Sequence, residues 1–346
     1  FRLYNVWGVN YDAVIESLSP MISVLFSTAM YLNGIFNIMK IMKLLIGFNI
    51  LLFIKNDSNY YMNRPEKVIL RHYQIEGRKL CHYETHFYFT SVLAYVYITL
   101  LAYLAAPGIP LLIGLVSSSN YSNEKSFLYE VNYGVDKEKY YYYISLHSYT
   151  ATTVVANLIA TCDTTYMFYA HHAYALFAIV TRLLEEYGNV KLLPREREKI
   201  YNKLLDCIKG HQNAIKYTNL IESLFSKSLL LQLFLNVLGL TITGTVMKMD
   251  NIGDLMRFGT FTISQTVHIF FLCLPGQKLV NHSEQICEVM WYVLPKKCHN
   301  LYILLLTKAL IPSKITAYNM ASMTMETFLS IIQTAMSYFT VLLSTT

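Results

Sequence analysis

Charged side chains cut this chain into unequal pieces, and the uncharged pieces constrain its fold more than any other feature. Six of them reach the ~20 residues that a helix needs to cross a hydrocarbon core of ~30 Å. They run from Ser17 to Met39, Thr85 to Asn123, Tyr140 to Thr181 with Asp163 as the one exception, Ser228 to Met247, Phe258 to Gln277, and Thr327 to the end. A seventh apolar stretch, Cys298 to Ile311, is cut by Lys308 and reads as a short helix outside the bilayer. None of the six alternates in the manner of a strand, and backbone groups in lipid must all pair internally. The expected fold class is therefore all-α, a polytopic membrane helical bundle with six spans present.

The few charges also set an orientation. Lysine and arginine concentrate in cytoplasmic connections, and 22 of the 28 fall in one set: Lys40 to Lys79, Arg182 to Lys227, and Lys278 to Lys314. The other set holds the remaining 6, namely Arg2, Lys125, Lys137, Lys139, Lys248 and Arg257. The start of the chain, the loop from Ser117 to Lys139, the hairpin from Lys248 to Arg257 and the C-terminus are thus expected outside. The glycosylation acceptor pattern Asn120-Tyr121-Ser122 agrees, whereas Asn56-Asp57-Ser58 and Asn281-His282-Ser283 match it on the expected inner side. Only 14% of the residues are charged, against ~25% in soluble domains, and 54% are hydrophobic. Such a chain cannot coat a globular surface with charge, which excludes a disordered protein, a nucleic-acid module built on basic patches and most cytosolic enzymes. The sequence opens on Phe1 rather than Met. One further span ahead of it would make seven, with the N-terminus of the full protein inside and the C-terminus outside, the reverse of a G-protein-coupled receptor.

Between Pro194 and Lys227 charges gather on one side of a helical repeat, and Ile200, Leu204, Ile208, Ile215 and Leu224 recur close to whole turns on the other. This amphipathic extension and the helix from Leu301 to Ile311 are expected to pack together as a cytoplasmic anchor. Pro312 ends the short helix and lets the chain turn before the last span, which should begin near Thr324. Glu326 then falls in its first turn, where the helix dipole favours a carboxylate. At a pore mouth the same charge would favour cations. The six cysteines all fall within spans or on the inner side, so no disulfide is expected. Tyrosine is abundant at 29 against two tryptophans, and Tyr140 to Tyr143 read as interfacial anchors.

Asp163 is the single acid inside a span and would cost roughly 2.5 to 3.5 kcal/mol at midplane if unpaired. It should face the bundle interior among Thr161, Thr164, Thr165 and Tyr166, as a hydrogen-bond anchor or as an element coupling a ligand site to a pore. The pairs His171-His172, Cys81-His82 and Cys298-His299 are adjacent and lack the spacing that closes a metal tetrahedron. No phosphate-cradling glycine loop, nucleophile elbow or pair of catalytic carboxylates occurs. Neither an enzyme nor a metal or other cofactor is expected.

Several segments carry a resemblance. The closing Ser337-Tyr338-Phe339-Thr340-Val341-Leu342 with Glu326-Thr327-Phe328 ahead of it, His211-Gln212-Asn213-Ala214-Ile215, Glu16-Ser17-Leu18-Ser19-Pro20-Met21, and Gly276-Gln277 with Ser283 and Trp291 are similar to an insect odorant receptor of the type common in ants, bees and wasps. The resemblance covers nearly the whole chain and equates Ser17 to Met39 with the family's second span. It implies a ligand-gated, non-selective cation channel, a heterotetramer with the shared odorant co-receptor, in the plasma membrane of olfactory neuron dendrites. The last span would line the pore, and cytoplasmic helices would make most subunit contacts. Val341 matches the family's apolar gate, and Thr345 one turn on interrupts a second hydrophobic ring. Ser283 and Trp291 stand about one helical turn closer than usual, and Tyr318 stands where a glycine is frequent.

The family's ligand site lies in the outer half of the bundle, which maps onto Phe26, Tyr31, Tyr103, His147, Tyr149, Thr153, Phe261 and Gln265. An apolar and aromatic pocket with a few hydroxyls or amides suits a small volatile ligand. The resulting organisation has three spans with the outer loop and ligand site in 1–180, an anchor extension in 181–227, two spans in 228–277, further anchor in 278–320 and the pore-lining span in 321–346. Partners are then a co-receptor, a volatile organic ligand and membrane lipid, with no nucleic acid. The competing readings are a G-protein-coupled chemoreceptor, a gustatory receptor of the same channel class, and a secondary transporter, although no internal repeat with broken helices supports the last.

Overall fold

The computed structural model describes residues 66–108, 127–128, 134–189, 197–246, 252–288 and 298–345, together with positions 21, 24, 25, 28, 32, 34 and 41. Six helices carry it: α1 Glu66–Ala105, α2 Tyr141–Asn189, α3 Arg197–Val246, α4 Ile252–Glu284, α5 His299–Ala309 and α6 Met325–Thr345. A two-stranded hairpin, β1 Thr316–Ala317 and β2 Ala321–Ser322, separates α5 from α6, with Thr316 opposite Ser322. Five charge-free runs fall on α1, α2, α3, α4 and α6, and the interrupted one gives the short α5. The run from Ser17 to Met39 lies mostly outside the described residues. Hydropathy is a stricter filter than charge: among the described residues, two segments are long and apolar enough to cross a membrane, His86–Gly108 and Leu204–Thr243. The many tyrosines and threonines of α2 lower its apolarity without adding charge.

Local chemistry sets the helix ends. α1 gives way to a 3₁₀ turn at Ala106–Gly108, where Pro107 cannot continue the hydrogen-bond ladder. Ahead of α2, Asp136 Oδ1 accepts the amides of Glu138 and Lys139 at 3.0 and 3.4 Å, satisfying donors of the opening turn. The amphipathic extension and the following span form one helix, α3, because no proline separates them. Its expected inward positions Leu204, Ile208 and Leu224 are buried. α5 closes with the Leu310 amide on the Leu306 carbonyl at 2.9 Å, two residues before Pro312.

α2 is the central helix and packs against α1, α3 and α4, while α6 lies along α3 and α4. The core gathers Val92, Tyr166, Tyr174, Phe177, Ile221, Leu229 and Ile269, with Ala170 and Ala173 letting neighbouring helices approach α2 closely. Outward-facing positions are apolar as well: Ile98, Leu101, Leu146 and Ile263 are each at least 64% exposed. A surface of this kind favours lipid over water.

The hairpin is clamped to the bundle from three sides. A Cβ on Gly276 of α4 would overlap the carbonyl oxygen of Met323, so only glycine lets the chain ahead of α6 pass this close. From α3, Glu222 accepts from the Thr316 hydroxyl, and the Ser226 hydroxyl accepts the Tyr318 amide at 2.7 Å. Ser283 Oγ accepts the Ser313 amide at 3.0 Å. Tyr318 and Asn319 turn the hairpin with φ of 52° and 57°, the left-handed region where a glycine is free of Cβ strain. That geometry explains why a glycine suits position 318.

Two substitutions test the clamp. Gly276→Ala should destabilise by about 1–3 kcal/mol through overpacking, read as a lower melting temperature and less protein at the cell surface. Tyr318→Gly should do the opposite: relief of ~1–2 kcal/mol of left-handed strain exceeds glycine's backbone entropy cost of ~0.5–1 kcal/mol, so the melting temperature rises.

Candidate functional site

A polar centre lies in the bundle interior, where α2, α3 and α4 meet. Asp163 Oδ2 is 2.8 Å from His268 Nε2, and Gln232 Nε2 donates to Asp163 Oδ1 at 2.9 Å. Asn236 Nδ2 donates to the Gln232 backbone carbonyl at 2.8 Å, and its side-chain amide lies beside His268 Nδ1, with Nδ2 at 3.3 Å and Oδ1 at 3.4 Å. All four residues are buried. Asp163 thus faces inward as expected, but its partners are not the neighbours in its own helix. Thr161, Thr164 and Thr165 turn their hydroxyls onto carbonyls one turn back. Sequence reasoning missed Gln232, Asn236 and His268 because uncharged polar residues leave no mark on a search for charge-free runs. The signal available was a Gln and an Asn four residues apart in one span, with a histidine at mid-span in the next.

The expected ligand-site residues are spread over the other end of the bundle. Tyr149 donates to the Leu104 carbonyl at 3.2 Å, beside the half-buried Tyr103. Thr153 bonds its hydroxyl to the Tyr149 carbonyl at 2.8 Å. Phe261 meets α3 opposite Gly239, Gln265 is half-buried, and His147 is exposed. Phe26 and Tyr31 lie outside the described residues. Nearby, Tyr97 donates to Asn157 at 2.9 Å and Thr262 to Thr243 at 3.0 Å, which ties α1 to α2 and α4 to α3. A cleft of about 280 Å³ lies further toward the hairpin and is lined by Tyr88, Phe89, Thr164, Thr165, Met167, Phe168, Tyr169 and His171. None of the six expected residues that are described lines it.

α6 has two unlike faces. Ile331 and Ala335 are buried, and Phe328 meets the Phe270 ring edge-on at 5.7 Å. The opposite face carries Glu326, Ser330, Gln333, Ser337 and Thr340, all exposed and spaced three or four residues apart, with exposed Val341 one turn beyond Ser337. At its start the Met325 amide donates to Gln277 Oε1 at 3.1 Å, so a side chain of α4 caps the helix. Thr345 is the last residue of the helix. In the first half of α3, His211 is buried against the Phe177 ring at 5.5 Å, so the histidine-centred segment packs α3 on α2.

This architecture is the fold of the insect olfactory receptors. The structure of receptor OR5 from Machilis hrabei in complex with eugenol superposes with a TM-score of 0.75 at 14% identity, covering 97% of this chain and 83% of that one. Another structure of the same receptor gives a TM-score of 0.71 at 15% identity, covering 98% of this chain and 83% of that one. The profile of the 7tm Odorant receptor family matches residues 21–336, and the chain belongs to that family, one of membrane receptors and not of enzymes. Odorant receptor 13a of Drosophila melanogaster is 22% identical over 160 residues, 41% of this chain and 38% of that relative's length.

The polar centre predicts opposite outcomes for two substitutions. Asp163→Asn keeps an oxygen for Gln232. Its amide then donates to His268 Nε2 while the ring proton moves to Nδ1, where Asn236 Oδ1 accepts it, so surface expression should be preserved. His268→Phe leaves a buried carboxylate without its main partner and should cost about 3–5 kcal/mol. Surface labelling and thermal melting distinguish the two, and failure of Asp163→Asn to reach the surface would rule out this pairing scheme.

Proposed function

We propose that the protein is an odorant-binding subunit of a ligand-gated, non-selective cation channel, assembled as a heterotetramer with the shared odorant co-receptor. The observation that carries this reading is the polar stripe of α6. Glu326, Ser330, Gln333 and Ser337 are turned away from the subunit's own bundle on a helix whose remaining residues are mainly apolar. Facing lipid, such a stripe would be costly. Facing the last helices of neighbouring subunits, it lines a hydrated path. Glu326 then puts a negative charge at one mouth and favours cations, and Val341 narrows the other end as an apolar gate with Thr345 one turn beyond.

In this reading the subunit stands in the plasma membrane of olfactory neuron dendrites with the hairpin and α5 in the cytosol. A volatile ligand sits among Phe26, Tyr31, Tyr103, His147, Tyr149, Thr153, Phe261 and Gln265. Selectivity follows from apolar area, at about 0.8 kcal/mol for each buried methylene, together with a few hydroxyl and amide contacts. Machilis hrabei OR5, whose structure was solved with eugenol, shares the fold and lends support to a small aromatic ligand class.

Coexpression with the co-receptor and recording under an odorant panel, with GTP omitted, tests the proposal. Odorant-evoked cation currents are expected, and Gln333→Leu should lower conductance while leaving the half-maximal odorant concentration unchanged. Currents that require GTP would favour a G-protein-coupled receptor. An epitope after Thr346 should stain on intact cells; staining only after permeabilisation would reverse the orientation.

A further inference from the structure

We propose that the cleft between α1 and α2 holds one acyl chain of an anionic phospholipid whose headgroup is received at Lys278. The proposal depends on the bundle standing in a membrane and not on the odorant reading. The cleft follows α2 from Thr164 to His171, seven residues or about 10 Å of helix. Its walls make no demand for polar partners at the threonines. Thr164 and Thr165 already donate to the Ala160 and Thr161 carbonyls at 2.7 and 2.6 Å, so an alkyl chain can lie against them without stranding a donor.

The hairpin end of the cleft is cationic and aromatic. Lys278 Nζ stands 4.6 Å from the centre of the Tyr88 ring, which lines the cleft, and 5.6 Å from that of Tyr174. His282 stacks on the other partner of this group, Tyr174, at 5.0 Å, and His171 meets Tyr88 edge-on at 4.8 Å. Two ring faces therefore hold an ammonium beside Tyr88, at the hairpin end of a cleft whose walls are mainly apolar.

Depth fixes the kind of molecule that fits. The Gln277 side chain caps α6, so Lys278 is level with the start of a helix of 21 residues. That helix is about 31 Å long, one hydrocarbon core. Lys278 thus lies at the boundary where headgroups sit, and the cleft runs from it into the hydrocarbon. A lipid tail leaving other tails for this cleft gains little from burial itself. Selection must come from the headgroup, and a basic site between helices at the membrane boundary suits an anionic one.

The purified full chain, titrated with phosphatidylserine or phosphatidylcholine of identical acyl chains and weighed by native mass spectrometry, tests the site. Wild type should retain one phosphatidylserine in preference to phosphatidylcholine. Lys278→Gln should reduce that preference about fivefold, the factor that one lysine contributes near an anionic surface, and Lys278→Arg should keep it. Thr165→Phe, which fills the cleft, should lose the bound lipid of either kind. Melting temperatures of all variants identify any loss due to unfolding, and the Gln and Arg variants, both lacking lysine's packing, differ in charge. Equal retention of the two lipids by wild type, an unchanged preference in Lys278→Gln, or an unchanged adduct in Thr165→Phe would overturn the proposal. Displacement of the lipid by inorganic phosphate alone would assign Lys278 to a free anion and overturn it as well.

Discussion

A carboxylate in the interior of an apolar bundle must find hydrogen-bond donors within reach, and Asp163 finds them on two other helices. His268 of α4 and Gln232 of α3 both point at it, and Asn236 steadies the histidine from behind. The arrangement is a register device. Apolar packing between helices tolerates small slides, because one methyl replaces another, whereas a slide of one residue along α3 or α4 would leave a buried charge without its partner. Three of the long helices are therefore fixed in rotation and height at one level, and their remaining contacts follow from that alignment. Tyr95 of α1 stacks on Phe271 of α4 at 5.2 Å, less than a turn from His268, and brings the fourth long helix to the same level.

The second fixed level is at the hairpin, and it is built from one close backbone approach and several side-chain bonds. The overlap that a Gly276 side chain would make with the Met323 carbonyl, the Gln277 cap on Met325 and the bonds from Glu222 and Ser226 leave the start of α6 little freedom. α6 can then present one apolar face to α3 and α4 while its polar face stays turned outward. Length matters here as well, since β1 and β2 have two residues each and cannot stand alone. Their strained turn at Tyr318 and Asn319 persists because the surrounding helices hold it.

The charge-free runs made the helical class legible, and five of them overlie helices. The burial of Asp163 was equally legible, since charge in a span has few other resting places. Other features were hidden for identifiable reasons. The continuity of α3 through Lys227 was lost because charge marks the membrane boundary and not the end of a helix. The partners of Asp163 were lost because Gln, Asn and His are silent in a charge count. The meaning of Gly276-Gln277 was visible only as a motif: that the glycine admits a carbonyl and the glutamine caps the next helix depends on a chain segment about fifty residues away. The proposed outer ligand site would draw on side chains from several helices, and spacing along any one helix does not determine such a pocket.

α4 connects the two fixed levels, and its chemistry changes between them. His268 and Gln277 are nine residues apart, about 14 Å along one helix, with Pro275 inside it. Proline has no amide to give the Phe271 carbonyl, and its ring crowds the preceding turn, so the helix is weakest one residue before the glycine that touches the hairpin. A displacement of α4 at the polar centre would therefore be divided at Pro275 between bending the helix and pushing the hairpin. Gly276 leaves no clearance for the hairpin to ignore a push, whereas the missing hydrogen bond makes bending cheap. The balance between those two costs, set by adjacent residues, decides how much of a movement around Asp163 reaches the first turn of α6.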